Sequence, residues 1–419
     1  MPLLRAETDT YATAVTNGNY NLDVGGLFGK TDNVRRYWED QITRMLVRPH
    51  VATLVASAEQ KGRGIRILDL GSGTGQSYEI LTQITRRDRS LYETEDYILP
   101  CKTIADFLGV DMSEDMVRQA SEIYRDHENV SFVRGDLREG LTFLDEDEPP
   151  FDLYYSTYGS LSHLAPDELR QLLTDILAHA KPGAILVGDW LGAYGCEFQD
   201  RWNEYRHNPS RMLDYSMCWL YPPGQRDDVE SFPMTFWSSK HLKELAEQAS
   251  AQTGANLRPL NFYERSIFVG RHSDTHEYCR SILPTRSIVN RLHEENYRTE
   301  LDMLLVDYSP LEGFDEANAF FDHLADCWNA LVRFCDQRLR RAADIVETDG
   351  WQDFPPQLQT AIMTLDRVIH SADWMRMGDP RANIIEPQLG YALRGLEMGL
   401  QEGAGFGHGL LGIFVVEKE

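Results

Sequence analysis

The chain has 419 residues, 42% of them apolar and 26% charged, which allows a large core and excludes wholesale disorder. Asp and Glu number 66 against 41 Lys and Arg, and the formal charge of −25 argues against nucleic acid as a partner, because phosphate backbones are held mainly by Lys and Arg. No apolar run approaches the roughly 18–20 residues that cross a bilayer, and the start MPLLRAETDT has no signal-peptide apolar region, so the expectation is a soluble cytoplasmic protein without a membrane partner.

Taken in chain order, a polar stretch rich in Gly and Asn leads into a helix in RRYWEDQITRMLVRPHVATLVASA. Its apolar residues recur near a 3.6-residue period, Asp32 or Asn33 can cap it, and Pro49 can kink or split it. From residue 64 strands and helices alternate. GIRILDL is a strand, QSYEILTQIT a helix and RRDRSLYETEDY an inserted loop. DFLGVDM is the next strand, followed by a helix capped by Ser113, then the strands NVSFVRGD and FDLYYST. A helix from about Asp167 to Ala180, the turn KPG and the strand AILVGDW continue the pattern, which predicts βαβ units and a parallel sheet. An aromatic stretch over 190–237 follows, then the helix SSKHLKELAEQAS and strands around NLRPLNFYE and RSIFVGRH. Beyond residue 273 the pattern is helical, with helices near 285–307, 316–346, 356–373 and 387–402, and the chain ends in glycines and one more strand of open placement. The predicted organisation is an N-terminal helical lid over 1–60, a sheet domain over 61–273 and a mainly helical C-terminal domain over 274–419, suited to a cap or a homodimer surface.

Six cysteines (Cys101, Cys196, Cys218, Cys279, Cys327, Cys335) are scattered without a CxxC pair, so free thiols are expected and no metal site is. The strongest signal is Asp69-Leu70-Gly71-Ser72-Gly73-Thr74-Gly75, set between a strand and a helix. Glycines there allow positive φ and close approach of a ligand to the backbone. The spacing is Gly-x-Gly-x-Gly, not the Gly-x-Gly-x-x-Gly of dinucleotide folds. Asp69, Asp111 and Asp136 stand at the ends of three successive strands, the edge at which open α/β sheets bind ligands. A carboxylate at Asp69 can meet a cation, Asp111 can accept both ribose hydroxyls, and Asp136 with Leu137 can bound an adenine; each acid alone is also an ordinary strand-end cap.

ILDLGSGTGQS, LGVDMSEDMV, VSFVRGDL, FDLYYSTYGSLSHL and KPGAILVGDW, in that order, resemble the motifs of class I S-adenosylmethionine-dependent methyltransferases over roughly residues 64–273. The resemblance implies a Rossmann-like, seven-stranded, mostly parallel sheet flanked by helices, with S-adenosylmethionine as cofactor. It further implies that Asp69, Gly71, Ser72, Gly73 and Gly75 face the methionine and ribose, that Asp111 holds the ribose and Met112 packs on adenine, and that Asp136 and Leu137 bound the ring. Tyr155 and Ser156 would lie beneath the sulfonium. The fourth motif, Tyr154-Tyr155-Ser156-Thr157, lacks the Asn/Asp-Pro-Pro-Phe/Tyr sequence of many amino-directed nucleic-acid and protein-glutamine enzymes, in keeping with a small-molecule acceptor.

Methyl transfer from a sulfonium is an in-line displacement that chiefly needs alignment, and a base only where the acceptor must lose a proton. His163, after the fourth strand, is the expected base, with packing against the sheet as its alternative. Asp189, at the end of the fifth strand, can bind a substrate amine or be structural, while Tyr158, Trp190 and Tyr37 can shape the acceptor pocket. The aromatics of 190–237 either join the sheet to the helical region or roof that pocket, and His408 in its glycine turn reads as structural. The competing functions are a nicotinamide-dependent dehydrogenase, which the glycine spacing opposes, and a non-catalytic cofactor-binding scaffold or regulatory protein.

Overall fold

The structure is a computed structural model of the whole chain; it describes residues 11, 15–16, 18, 32–86, 97–216, 231–270, 285–340, 350–372, 374–376 and 378–418. Cys218, Cys279 and most of the expected inserted loop lie outside the described residues. The strands are β1 (Ile65–Leu70), β2 (Ile104–Asp111), β3 (Val130–Arg134), β4 (Leu153–Tyr155), β5 (Ile185–Gly192), β6 (Met212–Ser216), β7 (Ser231–Trp237), β8 (Asn256–Arg265) and β9 (Gly409–Glu417). The first five lie parallel in the order β3-β2-β1-β4-β5. β9 then pairs antiparallel with β5 from Ile185↔Val415 to Leu191↔Gly409, and β8 pairs antiparallel with the other side of β9. The hairpin β6–β7 joins the end of β5 through Leu191↔Phe236 and Gly192↔Trp237, beyond the last residue of β4 to pair with β5. This is the expected mostly parallel Rossmann-like sheet, with the hairpin added.

Side chains on a strand alternate between faces, and here that alternation divides the core. Ile67, Tyr155, Val187 and Leu411 fall in one apolar cluster, and their neighbours Leu68, Tyr154, Leu186 and Leu410 in another. The second cluster is closed by helices α4 (Pro166–His179) and α6 (Ser239–Thr253), through Leu172, Leu173, Ile176, Leu242 and Ala246. β5 is buried along its whole length, Asp189 included.

Two features of the organisation follow from the shared core. Helix α1 (Asp40–Gln60) continues through Pro49, and its Val47, Val51, Leu54 and Val55 share the first cluster with Ile65 and Ile67, so it forms a layer of the core. The helices beyond residue 284 belong to the same cluster: Phe321, Leu324, Trp328 and Leu331 of α8 (Asp315–Leu339), Leu365 of α9 (Pro356–Ala372) and Leu389 and Leu393 of α10 (Glu386–Leu400). The helical region is therefore inserted between two strands of one sheet, and the final strand returns to fill the gap between β5 and β8. The physical reason is burial: β9 is apolar on both faces and needs a neighbour on either side.

Local departures are smaller. The expected strand at RSIFVGRH stops at Arg265, where β8 ends, because residues 266–270 bend into the core. The helix expected over 285–307 is α7 (Thr285–Arg291), followed by a separate short turn at Leu301–Leu304. No helix among the described residues is long and apolar enough to cross a membrane.

A shared core makes a prediction. Phe321→Ala removes a fully buried ring and should lower stability by about 3–5 kcal/mol. Urea unfolding followed by tryptophan fluorescence and by far-ultraviolet circular dichroism should shift as one coincident transition; a separate early helical transition would show that the inserted helices fold alone.

Candidate active site

β1 stops at Leu70 and the chain turns at once through Gly71, Gly73 and Gly75, with φ of +73°, +53° and +82°. The amides of Gly71 and Ser72 donate to the Val110 carbonyl at 2.9 and 2.8 Å, tying the loop to β2. A Cβ at Gly71 would lie 2.5 Å from Ser160 Cβ, whereas one at Gly73 would meet no protein atom within 4 Å. Gly73 thus presents bare backbone to open space. Asp111 fixes this geometry, accepting from the Gly73 amide at 2.8 Å and the Ser113 amide at 2.9 Å.

Beneath the loop, Asp69 is fully buried and neither of its carboxylate oxygens has a hydrogen-bond partner; the buried hydroxyls of Ser72 and Thr74 also have none. Burial pushes the Asp69 carboxyl up to about 8, against the pull of the Ser77 hydroxyl and with a further push from Asp111. Orphaned buried polar groups are expensive, so a cluster of them at one strand end marks a place made for a polar ligand. Tyr155 adds another, its buried hydroxyl being without a partner and held well above the usual phenol range by burial and by the charges of Asp69 and Asp189. Ser156 donates to the Leu70 carbonyl at 2.7 Å and braces β4 against β1. Met112 is 57% exposed beside Asp111, ready to cover a flat group. Asp136 is turned to Arg138, whose Nε lies 2.8 Å from both of its oxygens, and the half-buried Leu137 packs on the sheet core.

Next to this edge lies a buried charged cluster. Arg265, only 1% exposed, donates to Asp189 Oδ2 at 2.5 Å, and the same oxygen accepts the Tyr158 amide at 2.6 Å. The Tyr158 ring is held between two guanidiniums, with Arg35 3.3 Å and Arg265 4.4 Å from its centroid. Its hydroxyl donates to Asp40, which also pairs with Arg35 Nε at 2.7 Å. Arg35 in turn reaches Gln76 Oε1 at 3.3 Å, the first residue of the helix after the glycine loop. Glu39 sits 3.4 Å from Arg286, and Arg286 grips Asp32 with Nε and Nη2 at 2.8 and 2.7 Å. Sequence reading had singled out Asp189 and Tyr158 for the site; Arg35, Glu39, Asp40, Arg265 and Arg286 were missed there. Arg265 carries a local signal, a charge at the edge of the apolar run SIFVG, whereas Arg35, Glu39 and Asp40 sit in the charge-rich stretch RRYWEDQ and do not stand out.

The other expected site residues lie elsewhere. His163 Nε2 is 3.0 Å from the Tyr11 hydroxyl, and its ring stacks on Phe232 with centroids 5.1 Å apart, which matches the packing alternative more than the base. Trp190 is fully buried on the far face of β5, against Gly188, Gly412 and Phe414, and does not reach the mouth of the sheet. Alternation alone forbids Asp189 and Trp190 from sharing that mouth. Tyr37 stacks on His293 at 4.9 Å and meets Tyr391 edge-on, pointing to the inserted helices. Among the described aromatics of 190–237, Tyr194 and Trp202 pack on Phe314 of the insertion, as the joining reading expects, while Phe198, Tyr205, Tyr215 and Phe236 form a third cluster with Met116.

Residues 97–183 match a family model described as a methyltransferase domain. No curated protein matches the chain. Among solved structures, the chain is similar to a methyltransferase in complex with the Haloferax volcanii Trm112 methyltransferase activator, at 19% identity and a TM-score of 0.30, covering 49% of this chain and 66% of that one. It is also similar to a Clostridium acetobutylicum S-adenosylmethionine-dependent methyltransferase, at 13% identity and a TM-score of 0.31, covering 54% and 88%. A Methanosarcina mazei methyltransferase gives 17% identity and 0.33, covering 49% and 84%.

Asp69 supplies a pH test. An ammonium group binds the ionised carboxylate, so S-adenosylhomocysteine affinity should rise with pH toward about 8 and level off as Asp69 ionises. Below that point calorimetry should show a loss of up to about tenfold per pH unit, with proton release on binding, and Asp69→Asn should abolish the dependence. A flat profile in the unaltered protein would remove Asp69 from the site.

Proposed function

We propose that this chain, which carries a class I S-adenosylmethionine-dependent methyltransferase domain, methylates a small-molecule acceptor. The cofactor fits the residues present. Asp69 would take its α-ammonium, the backbone at Gly71–Gly75 would lie along its methionine and ribose, Asp111 would meet the ribose hydroxyls, and Met112 with Leu137 would flank the adenine. When bound, it supplies an electrophilic methyl group on sulfur.

The observation that carries the acceptor class is the charge balance of the neighbouring cluster. Arg35, Arg265 and Arg286 are each matched by a carboxylate, from Asp40, Asp189 and Asp32, with Glu39 as a further acid, so no surplus positive charge remains there for a phosphate backbone. Burial of that cluster also suits a small, partly polar molecule better than a polymer. The protein's work in the reaction is then orientation: Asp111 holds the loop, Asp189 and Arg265 hold the Tyr158 amide and ring, and Tyr155 closes the floor between Asp69 and Asp189. A non-catalytic scaffold would bind the cofactor and transfer nothing.

Thioether release from S-adenosylmethionine should appear with a panel of phenols, catechols, primary amines and amino acids, and stay at background with transfer RNA or peptides. Asp111→Ala should weaken S-adenosylhomocysteine binding by about 1–3 kcal/mol through the lost charged hydrogen bonds. Binding without release from any acceptor favours the scaffold; release with the polymers alone overturns the small-molecule assignment.

A further inference from the structure

At the carboxyl edge of β5 lies a second buried ionisable pair, outside the cluster just described. His408, 3% exposed, immediately precedes β9, and its Nδ1 is hydrogen-bonded to Glu197, also 3% exposed, in the turn that follows β5. His408 Nε2 is enclosed and has no hydrogen-bond partner. The backbone around this ring is fixed on every side. The His408 amide donates to the Ser266 carbonyl at 2.7 Å, and its carbonyl accepts from Gly192 at 3.0 Å. Gly407 donates to Glu264 Oε2 at 2.8 Å, and a Cβ at Gly409 would lie 2.7 Å from Arg265 Nη2 and 3.0 Å from Asp189 Oδ1. The residue after the histidine thus abuts the Asp189–Arg265 pair. Its ring is flanked by Phe198 at 6.1 Å and Tyr215 at 6.4 Å, members of the aromatic cluster above the sheet edge.

A carboxylate on Nδ1 keeps the proton there in the neutral ring and leaves the Nε2 lone pair available. A base oriented by a third group is the recurring arrangement by which an O–H or N–H nucleophile is activated. We propose that His408 is the proton acceptor for a hydroxyl or amine substrate and that Glu197 is its positioning residue; this rests on the methyltransferase assignment. The acceptor's lone pair forms the bond to the methyl carbon, and the carbon–sulfur bond breaks with its electron pair going to sulfur. The acceptor proton moves to Nε2, giving an imidazolium beside the Glu197 carboxylate, and later returns to solvent. Among the described residues, Glu197 lies on Nδ1 and Tyr215 at the ring's edge, while Glu264 meets Gly407 and Asp189 with Arg265 meet Gly409, the residues on either side of His408.

The test uses the full chain with S-adenosylhomocysteine bound. Diethyl pyrocarbonate is the probe, carbethoxylation is mapped by mass spectrometry, and exposed His207 and His370 serve as references. His408 should be modified at Nε2, and Glu197→Gln should slow this about tenfold while nitrogen-15 spectra show loss of the Nδ1–H tautomer. In the release assay with phenols and amines, His408→Gln should lower the limiting rate about a hundredfold. The proposal is overturned if His408 stays unmodified while the references react, since Nε2 is then sealed in solution. Unchanged reactivity and tautomer in Glu197→Gln overturn the positioning role, and an unchanged limiting rate in His408→Gln overturns the base. Failure of the unaltered chain to bind S-adenosylhomocysteine is a separate result, which removes the methyltransferase assignment; His408 reactivity is still measurable without the cofactor.

Discussion

The structure depends on burying the Arg265 guanidinium. An unpaired charge in this interior would be intolerable, and removing one partner of a buried pair typically costs about 3–5 kcal/mol. Arg265 therefore recruits partners from distant parts of the chain: Asp189 from β5, the Tyr158 ring from the loop after β4, and Glu39 at 3.9 Å from the N-terminal segment. Arg35 and Arg286 extend the same logic to the glycine loop and the inserted helices. One electrostatic requirement thus sets five chain segments in a common frame beside the glycine loop. Glu397 performs a related service nearby, accepting from Trp38 Nε1 and from the amides of Ile267 and Phe268, and burial pushes its carboxyl up to about 7.

Packing and electrostatics agree about where the inserted helices go. Their apolar faces cover the side of the sheet that α1 covers in part, and their connection delivers the chain to the gap between β5 and β8. The glycines at 405, 407 and 409 make that return possible. Glu264 takes the amides of Gly405 and Gly407 at 2.8 Å each, so the segment before β9 is clamped before the strand begins. Loop and sheet meet without space for a side chain at Gly405, whose Cβ would lie 2.7 Å from the Trp237 carbonyl.

What could be read in the sequence was whatever short-range pattern encodes. The glycine loop, the strands ending at Leu70 and Asp111, the Ser113 cap and the amphipathic face of Asp315–Leu339 each declare themselves within a few residues. The charged cluster did not, because Arg265, Asp189 and Arg35 acquire meaning only when residues far apart in sequence meet. Trp190 follows Asp189 directly on β5, so strand alternation sends its ring to the opposite face. His408 looked like a turn residue because its partner, Glu197, is 211 positions away. The end of the chain held the largest surprise, since no local feature of GLLGIFVVE reveals which strands will flank it.

Placing the final strand inside the sheet carries a consequence for synthesis. A ribosome finishes β1 to β8 and all of the inserted helices before β9 emerges, so the growing chain holds two unpaired edges, on β5 and β8, while the inserted helices are made. Exposed apolar edges invite association with neighbouring chains. Until β9 fills the gap between them, both edges stay open to pairing with the wrong strand.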